Sequence, residues 1–434
     1  MPGIEPLAIG SGKGFHYRKR RGRRVCGSGR AFASINSALP SVAGPGAFIA
    51  VSGSCNENVN LYGASSLNLG AFYGQRAAIN GNISITNSQN VYLYGLNVTN
   101  GFGDGIDVNS SHSVTLDSCI SSGNAGDGLN VGNADVTVNA FGTFNNNGNR
   151  GITTNNNSYV NVVSWAGTTD ISNNQAAALW VGQANFSTLG NTHVANNALA
   201  ANPGLRVAVD MRGGGRAQIG AFFGPNVIEN NANGGVSLQE TSEISFWSLR
   251  QFSGPNIIRN NGPFGVQAGF GSQVTMVGAQ VSGHTGPGVD IYAHSQLYGS
   301  SQLPGLGVVQ IESNGTVGNP LSAGVRVDGN SEALLRGVNI SLNNGPGILA
   351  LVNSSVDFAG GTFAGNAGVI TCDSTSTMVT DLAAAVSNPG FGLRCGVAHT
   401  LGNRLASSTT PAVPDVTAWQ AMHNAYQQRS AARK

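Results

Sequence analysis

The chain has 434 residues and a mass of 44.2 kDa, with 63 Gly, 49 Asn and only 10% charged residues. Lys occurs only at Lys13, Lys19 and Lys434, which excludes a helical bundle rich in Ala, Leu, Glu and Lys and disfavours a doubly wound α/β enzyme with charged outer helices. Hydrophobic residues make up 40% and are evenly spread, so disorder is excluded; no apolar run reaches about 18 residues, so no membrane-spanning helix is expected.

At the N-terminus, residues 1–25 form a basic leader. It holds Lys13, Arg18, Lys19, Arg20, Arg21, Arg23 and Arg24 against Glu5 alone. Such a block is ordinarily disordered, although it could touch phosphate or an anionic surface. It lacks the apolar segment of a complete signal peptide. Without it the formal charge of +2 turns mildly negative, so the body is not a nucleic-acid binder by charge. Residues 26–400 read as one domain, opened by an amphipathic helix over 29–41 with Phe32, Ile35 and Leu39 on one face and followed by the strand AFIAVSG. The helix covers the bare sheet edge at that end.

Cys26 and Cys55 bracket this opening unit, Cys372 and Cys395 bracket the end of the body, and Cys119 stands alone. No C-x-x-C occurs, so zinc and redox motifs lack support. Two staples, Cys26–Cys55 and Cys372–Cys395, and a free buried Cys119 are expected, which suits an oxidising compartment. The alternative is five reduced core cysteines.

From residue 100 onward one phrase recurs: Gly or another small residue, an aliphatic marker, any residue, an apolar residue. The markers are Ile106, Leu129, Ile152, Leu179, Leu205, Val236, Val266, Val289, Val325, Ile348 and Val369, at spacings of 23, 23, 27, 26, 31, 30, 23, 36, 23 and 21. A floor of 21–23 with longer excursions describes a fixed coil with insertions at preferred corners. Asn124, Asn147, Asn174, Asn231, Asn261 and Asn343 each lie five residues before a marker, as stacked side chains at a tight turn would. Period-two runs such as SVTLDS and QVTMVG lie between. The physical solution is a solenoid in which every coil pairs with the next at about 4.8 Å, giving a column about 50 Å tall over the marked coils. Unmarked coils fill 56–100. Residues 401–434 read as a Ser/Thr/Pro linker followed by a helix carrying Val416, Trp419, Met422 and Tyr426 behind Asp415.

The Asn column, coil length, aliphatic ladder and helix-then-strand cap resemble a right-handed parallel β-helix of the pectate-lyase-like superfamily. The resemblance implies an extracellular or cell-surface setting and a groove on one sheet that takes a polysaccharide. It leaves activity open, because lyases, hydrolases, uronate epimerases and non-catalytic surface proteins share the fold.

The residue after each marker points outward. This column reads Asp107, Asn130, Thr153, Trp180, Arg206, Ser237, Gln267, Asp290 and Arg326, with Tyr292 two positions beyond Asp290. Aromatic rings can stack on sugars and Arg can clamp a uronate carboxylate, so Trp180, Arg206, Asp290, Tyr292 and Arg326 are the candidate substrate-binding residues. The sharpest cluster is Asp104, Asp127 and Arg150, one turn column at spacings of 23 and 23, with Asp107 beside it. Two carboxylates one coil apart need relief. Either Ca²⁺ held by Asp104, Asp107 and Asp127 or Arg150 paired with Asp127 would supply it. The family's lyase chemistry needs a base for the proton α to the uronate carboxyl. With no Lys between 20 and 433, Arg150 is the best placed, beside Asp107. The alternative is ordinary Asp-Gly turn chemistry.

The Asn-Thr-Asp, Asp-Asp, Gly-His-Gly and Arg-Ile-Lys blocks of polygalacturonases are absent, so a hydrolase of that type is disfavoured. His284, Asp290, Tyr292 and His294 form a second candidate group. The insertions near 206–235, 237–265 and 290–324 are expected to wall a cleft. The reading is a secreted or surface protein that binds a polysaccharide, uronate-containing for preference, and cleaves or epimerises it; the alternative is a non-catalytic structural or adhesive column.

Overall fold

The computed structural model describes residues 23–400 apart from 27–30, 43–45, 73–74, 200–206, 250–253, 303–304, 320, 369 and 381–397. The expected C-terminal helix therefore lies outside the described residues. What is described is almost all strand. Thirteen short parallel strands, from Val59–Tyr62 to Thr371–Cys372, stack into one sheet, and twenty-seven more form a second, bent sheet. The pairings between these strands are all parallel and run to the equivalent segment of the next coil, as Ile106 with Leu129 and Leu129 with Ile152; an isolated bridge, Leu249 with Leu306, is antiparallel. The chain is a parallel β-helix.

Each coil has three sides. In the coil that starts at Leu129 the first is Leu129–Gly132, in the thirteen-strand sheet. The second and third belong to one long strand, Asp135–Asn145, bent at Ala140, whose φ is 65°. The alternating burial of that strand shows why the sequence alternates: every second side chain enters the column. Ile83, Ile106, Leu129 and Ile152 are fully or almost fully buried one above another. Each such side chain contributes about 1.5–3 kcal/mol, and none would be covered without the coils above and below.

The corner before the thirteen-strand sheet carries the Asn ladder. Asn147 Oδ1 accepts the backbone N–H of Asn124 at 3.2 Å, Asn174 that of Asn147 at 3.1 Å and Asn197 that of Asn174 at 3.1 Å. The residue before each ladder position is left-handed, from Asn100 (φ 59°) to Leu342 (φ 56°). The ladder also takes in Asn197, Asn314 and Asn366. A second ladder, of serines, runs up the opposite end of the thirteen-strand sheet: Ser242 N–H to Ser272 Oγ, Ser272 to Ser295, Ser295 to Ser331 and Ser331 to Ser354.

Two markers are corrected by register. Leu179 pairs with Val209, so Val209 holds the place assigned to Leu205, which lies outside the described residues. An insertion ahead of Val209 carries a look-alike phrase, NPGLRV. At the top, pairing of Leu349 with Thr371 puts Ile370 rather than Val369 above Ile348.

The N-terminal cap is shorter than expected, with a helix Ile35–Ala38 followed by a 3₁₀ turn Leu39–Ser41. Ser34 and Ser37 form its capping box, and both oxygens of Glu57 accept the N–H groups of Ile35 and Asn36. Arg23–Val25, placed at the end of the leader by composition, pair with Ile49–Val51. Cys26 and Cys55 are joined, Cys119 is free and buried, and Cys372 is disulfide-bonded. Cys395 lies outside the described residues.

Candidate functional site

The outward residues of the thirteen-strand sheet form one continuous face. Corrected for register, the column reads Asp107, Asn130, Thr153, Trp180, Asp210, Ser237, Gln267, Asp290 and Arg326. Asp210 thus takes the place expected of Arg206, and Arg212 follows two residues later. The sequence reading missed both, because the look-alike phrase drew the register four residues early. Their signal was the run VAVDMR, which has the alternation of its neighbours.

The turn column of Asp104, Asp127 and Arg150 is real, and it behaves as another ladder. Asp104 Oδ1 accepts the Asp127 N–H at 2.7 Å. Asp127 Oδ1 accepts the Arg150 N–H at 2.9 Å and Asn149 Nδ2 at 2.6 Å, and Oδ2 takes the Thr153 hydroxyl. Asp127 is relieved by these donors and makes no ion pair with the Arg150 guanidinium, contrary to the pairing the sequence suggested. Asp107 accepts both from Asn109 Nδ2, at 2.8 Å to each oxygen, and from Asn130 Nδ2 at 2.9 Å. Gly126 makes this packing possible, since a Cβ there would lie 2.4 Å from Asp104 Oδ1. Among the described residues the one trio of ligand-type atoms within 4.8 Å of each other is Cys26, Cys55 and Glu57. Asp104, Asp107 and Asp127 are not such a trio.

Burial pushes the Asp104 carboxyl above its ordinary range; the Asp127 N–H opposes this, and the charges of Asp127 and Asp107 add to it. Burial likewise raises Asp107 against its two amide donors. Both keep a proton to higher pH than free aspartate does, which suits proton transfer.

Two coils above Asp127 the guanidinium of Arg150 lies over the Trp180 ring, 4.3 Å from its centroid, and that of Arg212 lies 5.4 Å from the same centroid. The indole itself folds over Gly182, where a Cβ would come 2.9 Å from Nε1. Arg212 is neutralised by Asp210, at 3.2 Å, whose carboxyl is raised by burial and lowered by Arg212 and Arg150. Arg150 has no carboxylate within 4.0 Å among the described residues. A delocalised cation cushioned on an aromatic face, its donors unspent among the described residues, is suited to receive an anion.

Higher on the same face Tyr292 lies over Gly269, where a Cβ would meet its ring at 2.3 Å, and stacks edge-on with Phe270 at 5.7 Å. Arg326 is bound to Asp328 at 2.7 Å and faces Asp290 at 3.7 Å, while Gln267 donates to Asp290 at 3.0 Å. Asp290 is buried and its carboxyl raised for that reason. Arg326 is thus committed to two acids, unlike Arg150. His284, grouped with these residues by proximity in sequence, is a rung of the Asn ladder and faces the column. His294 is exposed at a corner.

The expected walls are only partly on this face. Strands of the other sheet end at Ser248 and Ser300 and resume at Asn256 and Gln310, so two of the longer sequence insertions fall between strands of that sheet. At the ladder corner beside the site the described parts of such insertions are 198–199, 207–208, 315–319 and 321–324. At the other end of the face Phe102 is 98% exposed beside Asp104, and Tyr62 is 71% exposed on the first strand. The sequence reading passed over both.

No family model and no curated protein matches the chain. Among solved structures it is similar to the A-module of mannuronan C-5 epimerase AlgE4 of Azotobacter vinelandii, at 11% identity over 85% of this chain and 94% of that one, with a TM-score of 0.39. The A-module of AlgE6 from the same organism gives 13% identity, 85% and 91% coverage and a TM-score of 0.38. The complex structure of alginate lyase AlyF-OU02 with G6 gives 10%, 88% and 90%, and 0.28. Functional meaning has to come from this chain's own side chains.

Proposed function

We propose that the protein binds a uronate-containing polysaccharide along the outer face of the thirteen-strand sheet and acts on it by lyase or epimerase chemistry. The observation that carries the reading is Arg150: a guanidinium held against Trp180 and flanked by Arg212, with no carboxylate within 4.0 Å among the described residues. On an otherwise polar face with flat-lying aromatic rings, that arrangement supports a sugar ring against Trp180 and its carboxylate on Arg150. Arg keeps its proton at any working pH, so Arg150 holds and neutralises the carboxylate and does not act as the base. Asp107, whose carboxyl is raised by burial, lies three coils below Trp180 on the same face, about 14 Å at the coil spacing, so the proton transfer assigned to it acts on a sugar further along the same polymer than the one held at Arg150. Cleavage and epimerisation share their first step, removal of the proton α to the carboxyl, and differ in whether the anion expels its leaving group or is reprotonated from the other face.

The Cys26–Cys55 disulfide supports an extracellular or cell-surface setting. One observation favours the second reading, a non-catalytic structural or adhesive column. The carboxylates of Asp104 and Asp127 end on backbone donors, as the ladder asparagines do. The deciding experiment incubates the full chain with pectate, alginate and glycosaminoglycans, with and without Ca²⁺. It follows both absorbance of unsaturated product and proton exchange at the uronate C5. Activity on any of them supports the enzyme and binding alone supports the column; the absence of both overturns the polysaccharide reading.

A further inference from the structure

On the third side of the coils, away from the saccharide face, four charged groups join four successive coils. Asp170 lies on Thr169–Ser172, His193 directly above it on Thr192–Ala195, Glu229 on Val227–Glu229 and Arg259 on Asn256–Arg259. His193 Nδ1 faces Asp170 Oδ1 at 3.4 Å and Nε2 faces Glu229 Oε1 at 3.0 Å. Glu229 Oε2 meets Arg259 at 2.6 Å. Asp170 also accepts from the Ser172 hydroxyl at 2.8 Å and from Asn145 at 3.4 Å.

A neutral imidazole has one donor nitrogen and one lone pair. Here both nitrogens face carboxylate oxygens, so only the imidazolium fits, and removing its proton aims a lone pair at an anion. The same three coils run on through ladder rungs Asn174, Asn197 and Asn231, where Asn197 Oδ1 takes the Asn174 N–H and Asn231 Oδ1 that of Asn197 at 2.9 Å. They then reach Trp180, Asp210 and Ser237. In sequence eleven residues separate Asn197 from Val209, against four between Asn174 and Leu179 and four between Asn231 and Val236.

We propose that the Asp170–His193–Glu229–Arg259 chain is a proton-operated clasp that fixes the Asn197 coil between its neighbours and releases it when His193 loses its proton. The clasp stands whatever ligand the other face takes; through the Asn197 coil it would regulate the placement of Asp210 and Arg212.

The charged groups facing His193 are Asp170 from the strand below, Glu229 from the strand above and, through Glu229, Arg259. The hydrogen bond to Asp170 raises the imidazole, burial opposes it, and Glu229 raises it further. For Asp170 and Glu229 burial pushes upward but is outweighed, chiefly by His193 for Asp170 and by Arg259 for Glu229, so both end lowered. The raised His193 therefore contributes in full below the ordinary imidazole range and is lost as pH rises through its raised value. The lowered acids contribute above the ordinary carboxylate range and are lost as pH falls through theirs. The clasp is closed in the window between.

Hydrogen exchange on the full-length protein tests this, read by mass spectrometry and corrected for intrinsic rates. In the wild type, protection of segment 193–199 should drop about fivefold as pH rises from about 6 to about 9, while segment 340–344, on the ladder without the clasp, should not respond. His193→Lys, always charged over this range, should remove the step and stay protected; His193→Gln should remove it and stay open. A wild-type step identical in His193→Gln would overturn the proposal, as would ring NMR shifts showing His193 titrating at the ordinary imidazole value.

Discussion

His284 stands where every other coil of the ladder places an asparagine or a small residue, and its Nδ1 accepts the Asn261 N–H at 3.1 Å. Its other nitrogen faces the Ile258 carbonyl at 3.2 Å and its own N–H reaches Asn314 Oδ1 at 3.3 Å. The ring is therefore the Nε2–H tautomer, and a second proton would abolish the Asn261 contact. Burial pulls the imidazole down to about 4. With the folded value below the ordinary value near 6.5, the unfolded chain binds more protons, so stability is present above about 6.5 and declines as pH falls toward about 4. The loss should be on the order of 3 kcal/mol. His284→Asn should keep the rung and flatten that slope, as measured by denaturant midpoints at several pH values. An unchanged slope would contradict the assignment.

Gly105 has no room for a side chain: a Cβ would come 2.1 Å from Ser121 Oγ and 2.4 Å from Asn124 Nδ2. Gly105→Ala should cost about 1–3 kcal/mol. Gly103→Ala, two residues away and meeting nothing within 4 Å, should cost almost nothing. Equal midpoints for the two variants would show that the ladder corner yields more readily than its packing implies.

Arg150→Gln should weaken binding of a polyuronate about tenfold or more, and Arg150→Lys should not restore it, because an ammonium lacks the planar fork that suits both the indole face and a carboxylate. Trp180→Ala should produce a comparable loss. Calorimetric titration with the polymer at two salt concentrations checks this, with circular dichroism confirming the fold.

Asp107→Asn preserves the shape and the Asn130 neighbour but removes the proton carrier. Turnover should fall by about 100-fold or more while affinity changes little. A parallel loss of both would move Asp107 from proton transfer to binding. Chelator should leave turnover unchanged, since the acids here end on protein donors.

Cys26 and Cys55 close a loop with a sequence separation of 29 that ties the capping helix to the first coil. Cys55→Ser should cost about 2–4 kcal/mol and should open the N-terminal coils first, as seen by limited proteolysis.

Much of the column was legible because its chemistry repeats. Asn124, Asn147 and Asn174 announce themselves at a fixed offset from aliphatic markers, and alternation gives the inward faces. Insertions hid Asn197 and Asn314 by pushing them away from their markers. His284 was in the open, five residues before Val289, but histidine in a sequence reads as chemistry before it reads as scaffolding. The serine ladder went unnoticed because Ser is common everywhere. Asp104 and Asp127 were correctly brought together. What no spacing could supply was the direction of the Arg150 side chain, which turns to an aromatic ring three coils above Asp104 rather than to Asp127.

In both the Asn and the Ser ladders each coil receives a side-chain acceptor from the coil that follows it, and the count resets with every circuit. A single inserted or lost residue within a side must disturb that exchange, whereas a duplicated or deleted circuit such as 106–128 leaves every giver a taker. The length of such a protein is therefore quantised, and its relatives should differ in height by whole storeys.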